Sequence, residues 1–149
     1  MFTDTPDSVF AVLTDTGRTN FAKMTMGDIS FVVDGFAVGR GGYDSVNPVK
    51  IVSIDASSTG LIDQFFPTVG TTKPVEAIER PYPPTVVINC RLGRDESVSA
   101  LGEIGVWAKV VDSSDMNEIG TTFLLAIGHF PISVKTLRKA VLYKIIIQF

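Results

Sequence analysis

Six stretches of this chain carry β-branched and apolar side chains at a spacing of two, and no segment between them has the length and period of a crossover helix. They are Ile29–Arg40, Val49–Ala56, Thr85–Leu92, Glu103–Val111, Thr122–Phe130 and Val141–Phe149. A period of two places alternate side chains on opposite faces of a sheet. Parallel strands need long crossovers, usually helical, so strands joined by short polar turns favour antiparallel pairing. The expected class is α+β and mainly β, an antiparallel β-sandwich-like domain with a short N-terminal helix. At 149 residues one core suffices, and residues 1–149 are read as a single domain.

The helix is expected to begin at Thr14 and Asp15, where a short polar side chain caps free backbone N–H groups. Phe21 and Met24 share its face and Gly27 ends it, about ten residues on. Asp34-Gly35 reads as a bulge or tight bend within its strand. The segment 57–73 mixes small polar residues with Leu61, Ile62, Phe65 and Phe66, and reads as an ordered excursion whose aromatic tip packs on something. Residues 74–84 hold four prolines and read as an extended connection. Thr122–Phe130 (TFLLAIGHF) is apolar on both faces, the pattern of a central or interface strand. Within Glu103–Val111, Val106, Ala108 and Val110 should face away from Trp107, Lys109 and Val111.

Charged residues make up 19% and apolar residues 45% of the sequence, below the roughly 25% charge usual for soluble domains. Mean hydropathy is +0.29. No apolar run approaches the roughly 20 residues of a spanning helix, so membrane insertion is not expected. Burial against protein partners accounts for the deficit of charge instead. A net charge of −3 gives no general attraction for phosphate backbones, and no nucleic acid is expected. The opening MFTDTPDSVF has neither a basic region nor an apolar stretch, and reads as no signal peptide. Synthesis in a reducing cytoplasm is expected.

Candidate chemistry is sparse. Cys90 is the single cysteine and His129 the single histidine. Each lies in an apolar run, Cys90 as a small core residue and His129 as a packed or hydrogen-bonded strand residue. Glu76 and Glu79, three apart before a proline cluster, read as a solvated turn. The Asp residues match no calcium loop. Gly39, Arg40, Gly41 and Gly42 resemble a phosphate-cradling loop but lack the Lys-Ser/Thr that would follow, so they read as a turn using positive φ. No catalytic, cofactor-binding or metal-ligating residue is assigned, and no cofactor is expected. One local feature stands out: Glu103 lies between Gly102 and Gly105 at the start of an apolar strand. Propensity does not favour a carboxylate there. Either it accepts hydrogen bonds from loop N–H groups and pins a neighbouring turn, or it is an exposed edge residue.

Leu13, Thr14 and Gly17 in the helix, followed by Ala37, Val38, Gly39, Gly41 and Gly42 at a strand end, resemble the opening of the bacteriophage tail-collar and tail-fibre N-terminal domain family. The family's later Gly-Glu-x-Gly strand is matched by Gly102, Glu103 and Gly105. Its apolar strand leading to a His-Phe-Pro-like turn is matched by His129, Phe130 and Pro131, and its last strand by IIIQF. The similarity runs in order over most of the chain. It implies a virion protein that docks on the tail or baseplate, is often trimeric, and anchors fibres. The family's usual repeat-rich shaft and receptor-binding tip have no counterpart here, so an adaptor between fibre and tail, or a baseplate component, is the expectation. Its partners would be other tail, baseplate or fibre proteins and further copies of itself. Phe65, Phe66, Tyr82 and Trp107 are the expected interface anchors, since aromatic side chains dominate interface energetics. The rival reading is a monomeric β-sandwich module that binds carbohydrate or another small ligand on a concave aromatic patch.

Overall fold

A computed structural model describes residues 6–27, 29–82, 85–97, 99–115 and 117–149. One helix, α1 (Asp15–Thr25), and nine strands are formed among them: β1 (Pro6–Phe10), β2 (Val12–Leu13), β3 (Ser30–Gly39), β4 (Gln64–Phe66), β5 (Ala77–Tyr82), β6 (Thr85–Leu92), β7 (Ser99–Val111), β8 (Glu118–Lys135) and β9 (Val141–Gln148). They build a four-stranded sheet in the order β1-β9-β6-β5 and a five-stranded sheet in the order β2-β8-β7-β3-β4. Every pairing is antiparallel except β1 with β9, where Pro6 faces Leu142 and Phe10 faces Ile146. The fold is the expected mainly β sandwich.

Alternation explains how the two sheets meet. Ile88, Cys90 and Leu92 of β6 and Tyr143, Ile145 and Ile147 of β9 are buried, as are Phe36 and Val38 of β3 and Ile104, Val106 and Ala108 of β7. These side chains form one core shared by both sheets. Each fully buried Ile or Leu contributes roughly 1.5–3 kcal/mol of transfer free energy. Burial pushes the Cys90 thiol pKa well above its ordinary value. A thiol that is both buried and protonated does not react. We therefore expect native protein to be inert to a thiol-specific reagent and to react fully in urea; rapid labelling without denaturant would mean that β6 opens locally.

The helix forms where its cap predicts. Thr14 Oγ1 accepts from Gly17 N at 2.9 Å and donates to Leu124 O at 2.5 Å, so one hydroxyl caps α1 and ties it to β8. A Cβ on Gly17 would lie 2.5 Å from Leu125 O, which is how closely the first turn rests on that strand. Gly27 follows the helix with φ of +84°. Asp34 is the unpaired residue of a bulge, because the register with β7 shifts between Val33 and Gly35.

Four expectations need correction. Val49–Ala56 is not a strand: only Ile51 makes an isolated bridge, to Tyr43, and Val49 and Ile51 face solvent. Apolar alternation there belongs to a loop. The second half of the proline-rich connection is strand β5, and Pro81 is tolerated because β5 lies at a sheet edge. In β7 the faces exchange near the end, since a register shift between Lys109 and Val111 buries Val111 and leaves Val110 part-exposed. The strand expected over Thr122–Phe130 runs further at both ends, as the 18-residue β8 (Glu118–Lys135). That strand is flanked by β7 along its length, and on the other side the strand paired with it among the described residues is the two-residue β2. Its consecutive buried run, Leu124 to Gly128, is covered in part by α1 and by Val9 of β1.

Candidate functional site

Glu103 organises one end of the molecule. On β7 it lies between Gly39 of β3 and His129 of β8, on the face opposite to Ile104 and Val106. Its exposure is 0%. Oε2 accepts from Gly41 N and Asp63 N, both at 2.8 Å, and Oε1 accepts from Ile62 N at 2.7 Å. An anionic acceptor bonded to three backbone donors is an effective compensation for burial. Of the two sequence readings, the pinning carboxylate is the one observed, and the exposed edge residue is not.

The glycines around it are there for space. A Cβ on Gly39 or Gly41 would fall 2.6 or 2.5 Å from Glu103 Oε2. Gly42 has φ of +94°, and a Cβ on it would meet Gly102 O at 2.0 Å. A Cβ on Gly102 would lie 2.4 Å from Gly41 O. Two backbones thus pass in direct contact, and the carboxylate fastens both the segment after β3 and the segment before β4 to the sheet.

That anchoring continues outward. Gly42 O accepts from Val52 N at 2.8 Å, Val52 O is 2.7 Å from His129 Nδ1, and Pro48 O accepts from Ile132 N at 3.0 Å. The carbonyl fixes the proton of His129 on Nδ1. Asp44 Oδ1 accepts from Val46 N and Asn47 N at 2.7 and 3.1 Å, and these bonds lower its carboxyl pKa. The loop is therefore well bonded, yet it displays Val46, Val49 and Ile51 at 91%, 70% and 56% exposure. Ile62 on the adjoining loop and Ile132 and Val134 on β8 are exposed as well. A backbone bonded in this way has little loop entropy left to lose on ordering.

The expected interface anchors are dispersed. Phe65 and Phe66 of β4 are half-buried against the shared core, and the Arg40 guanidinium lies 4.6 Å from the centre of the Phe65 ring. Trp107 is half-buried on β7. Tyr82 ends β5 opposite Thr85; its side chain and residues 83–84 lie outside the described residues. Sequence reasoning missed Val46, Val49 and Ile51 because it assigned the last two to a strand. The signal that could have found them is Pro48 and the Asp44–Asn47 turn, which interrupt any strand there.

Among the described residues no three His, Cys, Asp or Glu side chains gather in a way that could hold a metal ion. No helix among them is long and apolar enough to cross a membrane. A cavity of about 520 Å³ opens between α1, β3, β5 and β6, lined by Phe21, Met24, Phe31, Val33, Ile78 and Phe149 among others, with Arg80 its charged contributor. Phe21 and Met24, expected on one helix face, both line it. No family model, curated protein or solved structure matches this chain.

Proposed function

We propose that the protein is a bacteriophage virion subunit of the tail or baseplate, an adaptor that joins fibres to the tail by protein–protein assembly. The observation that carries the reading is the hydrogen-bonded loop 43–52, which holds exposed apolar side chains beside Ile132 of β8. The low charge of the sequence supports it. So does the spatial grouping of the residues that carry the family resemblance. Gly39, Glu103 and His129 are cross-strand neighbours, and Gly41, Gly42 and Gly102 surround them. Thr14 and Gly17 contact Leu124 and Leu125 a few residues along the same β8 strand.

The test is the solution mass by light scattering over a range of concentrations, alone and with co-expressed tail proteins. A stable trimer, a larger assembly, or aggregation relieved by the co-expressed proteins is expected. Val49→Lys with Ile51→Lys should weaken the association about 100-fold, because burying two ammonium groups in an apolar interface costs several kcal/mol. A monomer at high concentration, indifferent to tail proteins, would overturn the reading. The cavity of about 520 Å³ favours one second reading, a small-ligand-binding module, which that outcome would move into first place.

A further inference from the structure

Beyond the Glu103-pinned loops, the outer face of the five-stranded sheet holds a second, polar cavity of about 310 Å³, lined by Asp34, Gln64, Thr71, Thr72, Trp107 and Thr122, with Gly70. Ile104, Val106 and Ala108 point into the core, so Gly105, Trp107 and Lys109 alternate onto the opposite face. The indole lies along its own strand over Gly105: a Cβ there would meet Cζ3 at 2.8 Å and Cη2 at 3.0 Å. Only glycine lets the ring settle against the sheet. The ring is half-buried, and its Nε1 donates no hydrogen bond among the described residues.

The polar groups around the ring are fixed and only partly used. The β3 bulge brings Asp34 into the cavity, where Oδ1 is 3.2 Å from Lys109 Nζ and Oδ2 accepts from Thr72 Oγ1 at 3.1 Å. A carboxylate has about four acceptor positions, so about two remain. Gln64 Nε2 donates to Pro67 O at 2.9 Å and Thr71 O at 3.1 Å, which orients its amide and leaves Oε1 an unused acceptor among the described residues. Lys109 Nζ spends its other contact on Glu118 at 3.1 Å, and these two acidic partners hold its pKa above the ordinary lysine value. Thr122, paired with Lys109 across the strands, adds an exposed hydroxyl.

We propose that this cavity binds a neutral pyranoside, with one face of the sugar ring against the Trp107 indole and its hydroxyls bonded to Asp34, Gln64 Oε1 and Thr122. The chemistry selects that class. A purely apolar ligand would strand the carboxylate and amide without partners. An anionic ligand would meet Asp34 and Glu118 around a single ammonium group. A flat heteroaromatic ring could stack on the indole, but it offers few donors to this set of acceptors. A pyranoside presents C–H groups on a face and hydroxyl donors around its rim. The cavity is at the small end for ligand sites, sized for one ring.

The sequence contains one tryptophan, so intrinsic fluorescence reads this cavity directly. The protein is titrated with the methyl glycosides of glucose, galactose, mannose and N-acetylglucosamine to about 100 mM, well past the millimolar range of weak binding, with glycerol as the control. A saturable change is expected with at least one glycoside and not with glycerol. Asp34→Asn should weaken it about tenfold, and Trp107→Ala should abolish the saturation-transfer NMR signal of the bound sugar. If Asp34→Asn does not fold, Thr122→Val at an exposed position takes its place and should weaken binding severalfold. The proposal is overturned by the absence of a saturable change, by an equal response to glycerol, or by affinity that is unchanged in the folded variants. It is independent of the assembly reading, and a monomer that binds no glycoside would count against each on separate grounds.

Discussion

Glu103→Leu is expected to lower the unfolding free energy by about 4 kcal/mol, seen as a fall of roughly 2 M in the urea midpoint. Leucine fills similar space but accepts nothing. The N–H groups of Gly41, Ile62 and Asp63 would then be left without the acceptor that now holds them. A buried unsatisfied donor costs about 1–3 kcal/mol, and partial opening of the loops to water would soften the sum. Glu103→Gln separates geometry from charge. Its one oxygen can keep the two bonds now made by Oε2, while its amide NH₂ would face Ile62 N–H, donor against donor. The loss should be about half that of leucine. If leucine at position 103 shifts the midpoint by less than about 0.3 M, the carboxylate does not anchor these loops.

The second large effect is expected at Gly102. Alanine there places its Cβ 2.1 Å from Tyr43 Cδ1 and 2.4 Å from Gly41 O. The ring can turn aside, but the carbonyl belongs to backbone that Glu103 holds in place. The strand and the loop must therefore part, and we expect a loss of about 3 kcal/mol, at the upper end for overpacking. Limited proteolysis gives a second reading: cleavage in 43–52 should accelerate more than cleavage elsewhere, because the loop loses its seat before the core fails. Combining Gly102→Ala with Glu103→Leu should cost clearly less than the sum, since either change alone releases the same segment. Strict additivity would mean that the contact and the hydrogen bonds act separately.

Much of this architecture is legible residue by residue. Thr14 and Gly27 bracket α1 because capping is local chemistry, and the alternation of Tyr143, Ile145 and Ile147 marks an inward face without any knowledge of what lies opposite. Glu103 could be singled out for a related reason: a carboxylate among glycines in an apolar strand must be held by something. What holds it could not be read, because Gly41, Ile62 and Asp63 arrive from segments whose course depends on the whole sheet. Val49 and Ile51 show the converse. Alternation reports which side chains are apolar, not whether a partner strand exists, and this loop satisfies the pattern while facing water. The grouping of Asp34, Gln64, Thr122 and Trp107 was hidden for a further reason. It draws on four strands, and the bulge at Asp34 shifts the register on which any face assignment rests.

The parallel pairing of β1 with β9 has a consequence for how the protein is made. β9 lies between β1 and β6, and it follows both in the sequence, so both wait for the same later segment. Until it emerges, Val9 and the inward side chains of β6 have no sheet to complete, and the edge of β6 that β9 will occupy lies open. Non-local closure of this kind is slow and leaves the nascent chain prone to off-pathway pairing. A polypeptide stopped before Val141 would keep the β5–β6 hairpin but forfeit the strand that joins it to β1, so the four-stranded sheet is completed late.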